Sequence, residues 1–186
     1  FEEDQSLLDD GDSSILSNWI LVHTRHPKDD AERFSLNGRE YCIPIINDPA
    51  KHVAVKKGAQ TSISEIMVRE SVARLIKYPS TKCLYALPTY DDVQFFSDTR
   101  IATVLEKSPT IQRLNRKKDN QSMKQIGDSF LIIRGGAEYR HAQMLDIDWL
   151  CIDEYDRHKE SLIPSFQERM SGSRYQFQRD FSTPSV

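Results

Sequence analysis

Residues 53–64 read Val-Ala-Val-Lys-Lys-Gly-Ala-Gln-Thr-Ser-Ile-Ser, the most informative segment of the chain for its architecture. A short β-branched run, HVAVK (52–56), breaks into small and polar residues. These lead straight into SEIMVRESVARLIKY (64–78), where Val68, Val72, Leu75 and Ile76 recur at helical spacing. Strand, tight loop and helix in that order frame a phosphate-binding loop. The usual pattern, G-x-x-x-x-G-K-[ST], puts lysine immediately before the hydroxyl residue. Here Ile63 precedes Ser64, Ser62 stands where the second glycine is expected, and the lysines come early, at Lys56 and Lys57. Two readings stay open on this segment alone. In one, the backbone around Gly58 and Ala59 approaches phosphate oxygens at the helix N-terminus, Ser64 ligates Mg²⁺ and Lys57 folds back over the phosphates. In the other, the segment is a basic turn with solvated lysines and Ser62 or Ser64 as helix cap.

The rest of the chain repeats the alternation. A short amphipathic helix is predicted over 14–26 around Ile15, Leu16, Trp19, Ile20 and Val22, and REYCIPIINDP is an apolar lead-in closed by Pro49. KCLYALP (82–88) reads as a buried strand, followed by a helix over YDDVQFFSDTRIATVLEK with Val93, Phe96, Ile101, Val104 and Leu105 toward the core. SMKQIGDSFLIIRGG places two apolar runs around Gly127-Asp128, a hairpin signal. DWLCIDE (148–154) is another buried strand, a helix is expected near 161–170, and RYQFQRDFSTP supplies the last strand. Strands alternating with helices imply an α/β fold, a mainly parallel sheet flanked by helices on both faces.

Bulk properties narrow the function classes. A chain of 186 residues holds one core and is too short for two large domains. With 38% hydrophobic and 28% charged residues it has the composition of an ordinary globular protein. Cys42, Cys83 and Cys151 are far apart, with no C-x-x-C pair, so neither a disulfide framework nor a zinc site is indicated. No apolar run reaches the length of a membrane span. The net charge of −3 is weak evidence against a dedicated nucleic-acid binder, but it is uneven. Glu2, Glu3, Asp4, Asp9, Asp10 and Asp12 crowd the first twelve residues with no base among them, so the remainder is mildly basic. The chain begins at Phe1 and stops soon after a strand-like run, which suggests an excerpt of a longer protein.

Ligands of doubly wound sheets sit outside the carboxyl ends of the strands. Beyond the loop at 57–64, a second such end is WLCIDEYD, where Asp153 and Glu154 follow an apolar strand. Mg²⁺-dependent NTP hydrolysis needs this pair: one carboxylate for the metal, the other to polarise the attacking water. The third end is FSTP (181–184), where Ser182 and Thr183 could sense a γ-phosphate or simply form the turn before Pro184.

Taken together these segments resemble the ATPase domain of tailed-phage terminase large subunits, the DNA-packaging motors, most closely the lambda-type branch. That branch carries a deviant loop of the form K-x-A-Q-x-G-x-[ST], and KGAQTSIS matches it at Lys57, Ala59, Gln60 and Ser64 while departing at Ser62. LYALPTYDD, LCIDEYD and FSTP match the segments that follow, in order, and FSLNGREYCIPIINDP matches the family's lead-in. The resemblance covers roughly 34–186. It implies a P-loop NTPase of the additional-strand, RecA-like architecture, with 1–33 as an acidic arm and short helix and the nuclease domain of the parent protein absent.

By that resemblance the phosphate-binding segment is Lys57, Gly58, Ala59, Gln60, Thr61, Ser62, Ile63 and Ser64. Ser64 and Asp153 hold Mg²⁺, Glu154 is the catalytic carboxylate, Thr183 couples hydrolysis to movement and Tyr41 meets adenine. Arg140 is the candidate to reach a neighbouring subunit's γ-phosphate, and Arg113, Arg116, Lys117 and Lys118 are candidates for DNA phosphates. The implied cofactors are ATP and Mg²⁺. The implied partners are double-stranded DNA, the portal, the small terminase subunit and further copies in a ring, in the host cytoplasm. Ser62 predicts a weaker or slower ATPase, because a left-handed backbone there costs a non-glycine residue about 1 kcal/mol or more. A helicase-like or repair ATPase, and a degenerate P-loop module that binds without hydrolysis, are the competing functions. Retention of both Asp153 and Glu154 argues against the second.

Overall fold

The computed structural model describes residues 15–114, 118–136 and 145–183. Its strands are β1 (His52–Lys56), β2 (Lys82–Leu87), β3 (Asp119–Asn120), β4 (Met123–Ile126), β5 (Ser129–Gly135), β6 (Trp149–Asp153) and β7 (Phe177–Ser182). They form a single sheet in the order β1-β7-β6-β2-β5-β4-β3. The first five of these neighbours run parallel, and β4 and β3 are antiparallel. The hairpin turns where Gly127-Asp128 predicts it: Ile126 pairs with Ser129, and Gly127 takes the left-handed φ of 56°.

Period-two alternation in the central strands sends side chains to two cores. Cys83, Tyr85, Leu131, Ile133, Cys151 and Phe181 pack on one face against α1 (Leu16–His23), α2 (Cys42–Asn47) and α3 (Ile63–Lys77). Leu84, Ala86, Ile132, Leu150 and Ile152 pack on the other against α7 (Leu162–Glu168). Leu16, Trp19 and Ile20 of α1 belong to the same core as α3. The lead-in CIPIIN is itself the helix α2; Pro44 is tolerated there because it falls in the first turn, where no intrahelical N–H bond is needed.

Between β2 and the hairpin the chain runs through α4 (Tyr90–Phe96), a π-helical turn (Ser97–Ile101), α5 (Ala102–Lys107) and α6 (Pro109–Gln112). The π turn explains an irregular spacing. Phe96 and Ile101 are five apart, yet both are buried with Val93, Val104 and Leu105, because the wider turn absorbs one extra residue. Thr89 opens α4 with a capping box: its hydroxyl accepts from Asp92 N at 3.2 Å, and the Asp92 carboxylate accepts from Thr89 N at 3.1 Å. Gly135 at the end of β5 is obligatory, since a Cβ there would lie 1.9 Å from the Thr89 carbonyl oxygen.

Helix α3 is buried on nearly every side, charged residues included. Arg69 donates to Thr24 Oγ1 (3.2 Å) and the Arg25 carbonyl (2.9 Å), pairs with Glu65 and lies over the Phe34 ring. Glu70 Oε1 takes Arg74 at 2.9 Å and Arg179 of β7 at 3.3 Å. Arg179 also donates to the carbonyls of Asp48 and Ala50 (3.0 Å each), just ahead of β1. One guanidinium thus ties together the helix, the last strand and the approach to the first.

Candidate functional site

Three strand ends distant in sequence meet at one edge of the sheet. Lys57 follows β1, Asp153 closes β6 and Thr183 follows β7; with β7 between the other two, Lys56 lies opposite Ser182 and Asp153 opposite Phe181. The pairing of β1 with β7 runs one bond further, from Lys57 N to the Ser182 carbonyl at 2.9 Å. The chain then leaves the sheet through the loop into α3.

That loop is left-handed at Gln60 and Ser62, both at φ 60°, and not at Gly58. Backbone that alternates in hand forms an anion-binding concavity. Thr61 Oγ1 donates back to the Gly58 carbonyl (2.9 Å), and the Tyr41 hydroxyl donates to the Thr61 carbonyl (2.8 Å), bracing the loop from α2. The first amide of α3 bonded to a preceding carbonyl is that of Ile66, with Ser62 O at 3.1 Å. Those of Ile63, Ser64 and Glu65 therefore precede the helical ladder, at the positive end of the helix dipole. Ser62 caps α3 through its backbone, with no side-chain cap bond. Its strain is already present in the fold and is not incurred on binding a ligand. Ser62→Gly is expected to stabilise the protein by about 0.5–1 kcal/mol, the strain relief less the entropy glycine adds to the unfolded chain. Nucleotide affinity should stay unchanged. Thermal unfolding and a nucleotide titration check the pair, and a loss of stability would contradict the left-handed assignment.

Lys57 reaches inward. Its Nζ lies 2.9 Å from Ser64 Oγ, 2.7 Å from Asp153 Oδ1 and 3.0 Å from Glu154 Oε1, and 5.4 Å from the centre of the Phe181 ring. Lys57 and Asp153 are both buried, at 8% and 4% exposure, so water screens the pair little. Asp153 is fixed from two further sides. Tyr85 donates its hydroxyl to Oδ2 at 3.2 Å, and burial next to this carboxylate pushes the phenol well above its ordinary pKa, keeping it a donor. His158 Nε2 donates to the Asp153 carbonyl at 2.9 Å; burial pushes this imidazole below its usual pKa and favours the neutral form. Glu154 is left-handed, at φ 52° and ψ 56°, which turns its carboxylate back toward the loop. Thr183 holds it there, with N–H to Oε2 at 3.1 Å and Oγ1 to Oε1 at 3.5 Å.

The structure therefore brings together Lys57, Ser64, Asp153, Glu154 and Thr183, and sets Tyr41 against the loop. Lys118 lies elsewhere: its carbonyl accepts from Gln125, which pairs with Phe130 at the start of β5, the opposite end of the parallel strands. Arg113, exposed, follows α6. Arg116, Lys117 and Arg140 lie outside the described residues, as does the acidic stretch 1–12. Sequence reasoning missed Tyr85 and His158. A tyrosine at the centre of an otherwise aliphatic strand was the available signal for the first; nothing local marked the second. A cavity of about 680 Å³ runs beside β1 and β7, lined among others by His52, Lys56, Tyr155, Asp180 and Phe181, and holds none of Lys57, Ser64, Asp153, Glu154 or Thr183.

The donor set fits a divalent cation of the Mg²⁺ type. One hydroxyl and one carboxylate converge on a position already held by a positive charge, and Mg²⁺ commonly uses one or two carboxylates and fills its shell with water and phosphate oxygens. Among the described residues no cluster of three or more His, Cys, Asp or Glu could hold a metal by itself, and no helix is long and apolar enough to cross a membrane.

A mainly parallel sheet whose first strand turns tightly into a helix, with a carboxylate pair at a strand end two places away, has the architecture of the P-loop nucleoside-triphosphatases. The chain belongs to the phage terminase large subunit gpA ATPase-domain family, whose model matches residues 42–174. Solved structures share the fold. The ATPase domain of the Thermus phage P74-26 large terminase is 18% identical, with a TM-score of 0.62 over 76% of this chain and 63% of that one. The HK97 bacteriophage large terminase is 9% identical, with a TM-score of 0.69 over 91% of this chain and 37% of that one. The bacteriophage Phi-29 viral genome packaging motor assembly is 11% identical, with a TM-score of 0.53 over 82% and 47%. The chain thus spans less than two thirds of the length of each. No curated protein matches it.

Proposed function

We propose that this chain hydrolyses ATP as the motor domain of a terminase large subunit and drives double-stranded DNA into a viral procapsid. The observation that carries the reading is the meeting of Lys57, just past β1, with Ser64, Asp153 and Glu154, three groups from one strand end and a helix N-terminus converging on one ammonium. In this reading Lys57 and the amides of 58–64 bind the phosphates, and Tyr41 borders the adenine. Ser64 and Asp153 hold Mg²⁺, which when bound supplies charge neutralisation at the β- and γ-phosphates. Tyr85 and His158 keep Asp153 aimed. Glu154 orients the attacking water and takes its proton, and Thr183 carries the change at Glu154 into β7.

The finer assignments belong to the same proposal. Residues 34–186 carry the ATPase, Arg140 acts on a neighbouring copy in a ring, and Arg113, Arg116, Lys117 and Lys118 meet DNA phosphates. The portal and small subunit are partners in the host cytoplasm. The test is an ATPase assay with and without Mg²⁺ and double-stranded DNA. Hydrolysis should require the metal and rise with DNA. Metal-dependent hydrolysis indifferent to DNA would remove translocation from the proposal, and no hydrolysis under any condition would leave a binding module.

A further inference from the structure

We propose that Arg100 is a further nucleotide-binding group, one that leaves Glu65 for the phosphate chain when a triphosphate enters. The inference rests on the nucleotide reading above. Arg100 stands on the π-helical turn between α4 and α5. In a regular helix it would lie one turn past Phe96, on the same buried face. The wider turn gives that place to Ile101, and the Arg100 side chain comes to the rim with 43% of its surface exposed. There it borders the site on two sides. Its Nη1 donates to Glu65 Oε2 at 3.3 Å, and its guanidinium lies 5.8 Å from the centre of the Phe96 ring. Phe96 in turn packs at 4.9 Å against Tyr85, the donor to Asp153. Burial and the Asp153 charge raise the Tyr85 phenol, and the Arg100 charge draws it partly back, so the field of this guanidinium extends to the hydroxyl that holds Asp153.

Glu65 sets the choice before Arg100. Its amide is among those that open α3 without a helical partner, so its carboxylate stands one side chain away from where phosphate oxygens would bind. The single negative charge there is shared by two guanidinium groups. Arg69 is fully buried, tied to Thr24 Oγ1 and the Arg25 carbonyl as well as to Glu65, and is not free to follow a ligand. Arg69 alone neutralises Glu65, which leaves the Arg100 charge in surplus. The Arg100 contact is single, long for a charged pair and partly open to water, and such pairs contribute little. A triphosphate offers a guanidinium several oxygens in fork geometry, and more negative charge than a carboxylate already paired. Exchange of Glu65 for phosphate is therefore favourable for Arg100 and not for Arg69.

The experiment is a titration with a fluorescent, non-hydrolysable ATP analogue, on wild type, Arg100→Gln, Glu65→Gln and the variant carrying both changes. Arg100→Gln should weaken binding about tenfold, the loss that goes with one charge-assisted contact. The same factor should separate the double variant from Glu65→Gln alone. If Arg100 served only to neutralise Glu65, this second difference would vanish, because no charge at 65 would remain to neutralise. Equal affinity of those two chains overturns the proposal, and so does an Arg100→Gln chain that binds as tightly as wild type. Should Glu65→Gln fail to fold, modification of Arg100 by phenylglyoxal, read by mass spectrometry on wild type, decides in its place. Inorganic tripolyphosphate should protect the guanidinium, and an unchanged rate of modification overturns the proposal. Wild type that binds neither the analogue nor tripolyphosphate refutes the nucleotide reading and the proposal with it. Wild type that binds both, with Arg100→Gln no weaker, refutes the proposal alone.

Discussion

Replacing Glu154 with glutamine is expected to slow ATP hydrolysis by about 10²- to 10⁴-fold, the usual loss when a positioned base is removed, and to leave nucleotide binding in place. The substitution is a narrow one. Glutamine keeps the length of the side chain and an oxygen that can accept from the Thr183 amide, and it occupies the same left-handed backbone without new strain. What it loses is the ability to take a proton, together with the negative charge that attracts Lys57 at 3.0 Å. Loss of that charge should, if anything, ease the lysine toward a triphosphate. Single-turnover hydrolysis and a fluorescent-nucleotide titration separate the two steps. Turnover within about threefold of wild type would show that another group is the base, a smaller loss than removal of a general base causes.

Arg179→Ala should lower the stability of the fold by about 3–5 kcal/mol, the range for breaking a buried ion pair by removing one partner. Arg179 is fully buried and shares Glu70 with Arg74, and its other nitrogens satisfy carbonyls of the segment before β1. Without it, Glu70 keeps one guanidinium on Oε1, while Oε2, buried, has no hydrogen-bond partner in the structure to begin with. Denaturant unfolding at neutral pH reads the loss, and a change under about 1 kcal/mol would mean that the carbonyls and Glu70 find other partners. The deficit should also depend on pH. Burial pushes the Glu70 carboxyl up, and Arg74 and Arg179 pull it down, so the variant's carboxyl stands higher still. A carboxyl raised in the folded state favours folding as it takes up a proton. The deficit should therefore shrink as pH falls from the raised value toward the ordinary glutamate range of about 4.3.

Much of this molecule was legible from residue patterns, and the exceptions have physical reasons. The hairpin at Gly127, the apolar register of 90–107 and the buried strands around Leu84 and Leu150 follow from local periodicity and turn chemistry. The site segments at 57–64, 153–154 and 181–183 were recognisable because each follows a strand. Their meeting was not, because it depends on β7, the last strand in sequence, inserting between the first and the sixth. That is a long-range pairing that no window of sequence contains. Helix α2 went unrecognised because six residues with an internal proline carry too little period to register. The burial of Arg69 and Glu70 depends on neighbours, α1, α2 and β7, that periodicity within α3 cannot reveal.

The insertion of β7 also has a mechanical meaning. Among the described residues β1 has β7 as its one neighbour in the sheet, and the residue just past β7 grips Glu154 through the Thr183 amide. The proposed phosphate loop and the proposed base thus hang from the same strut, one by its hydrogen-bonded flank and the other by its tip. A tug on the chain beyond Ser182 would load both at once, and a shift of Lys57 or Glu154 would be felt as tension along that strand. In the proposed motor, β7 would be where stress enters and leaves the site.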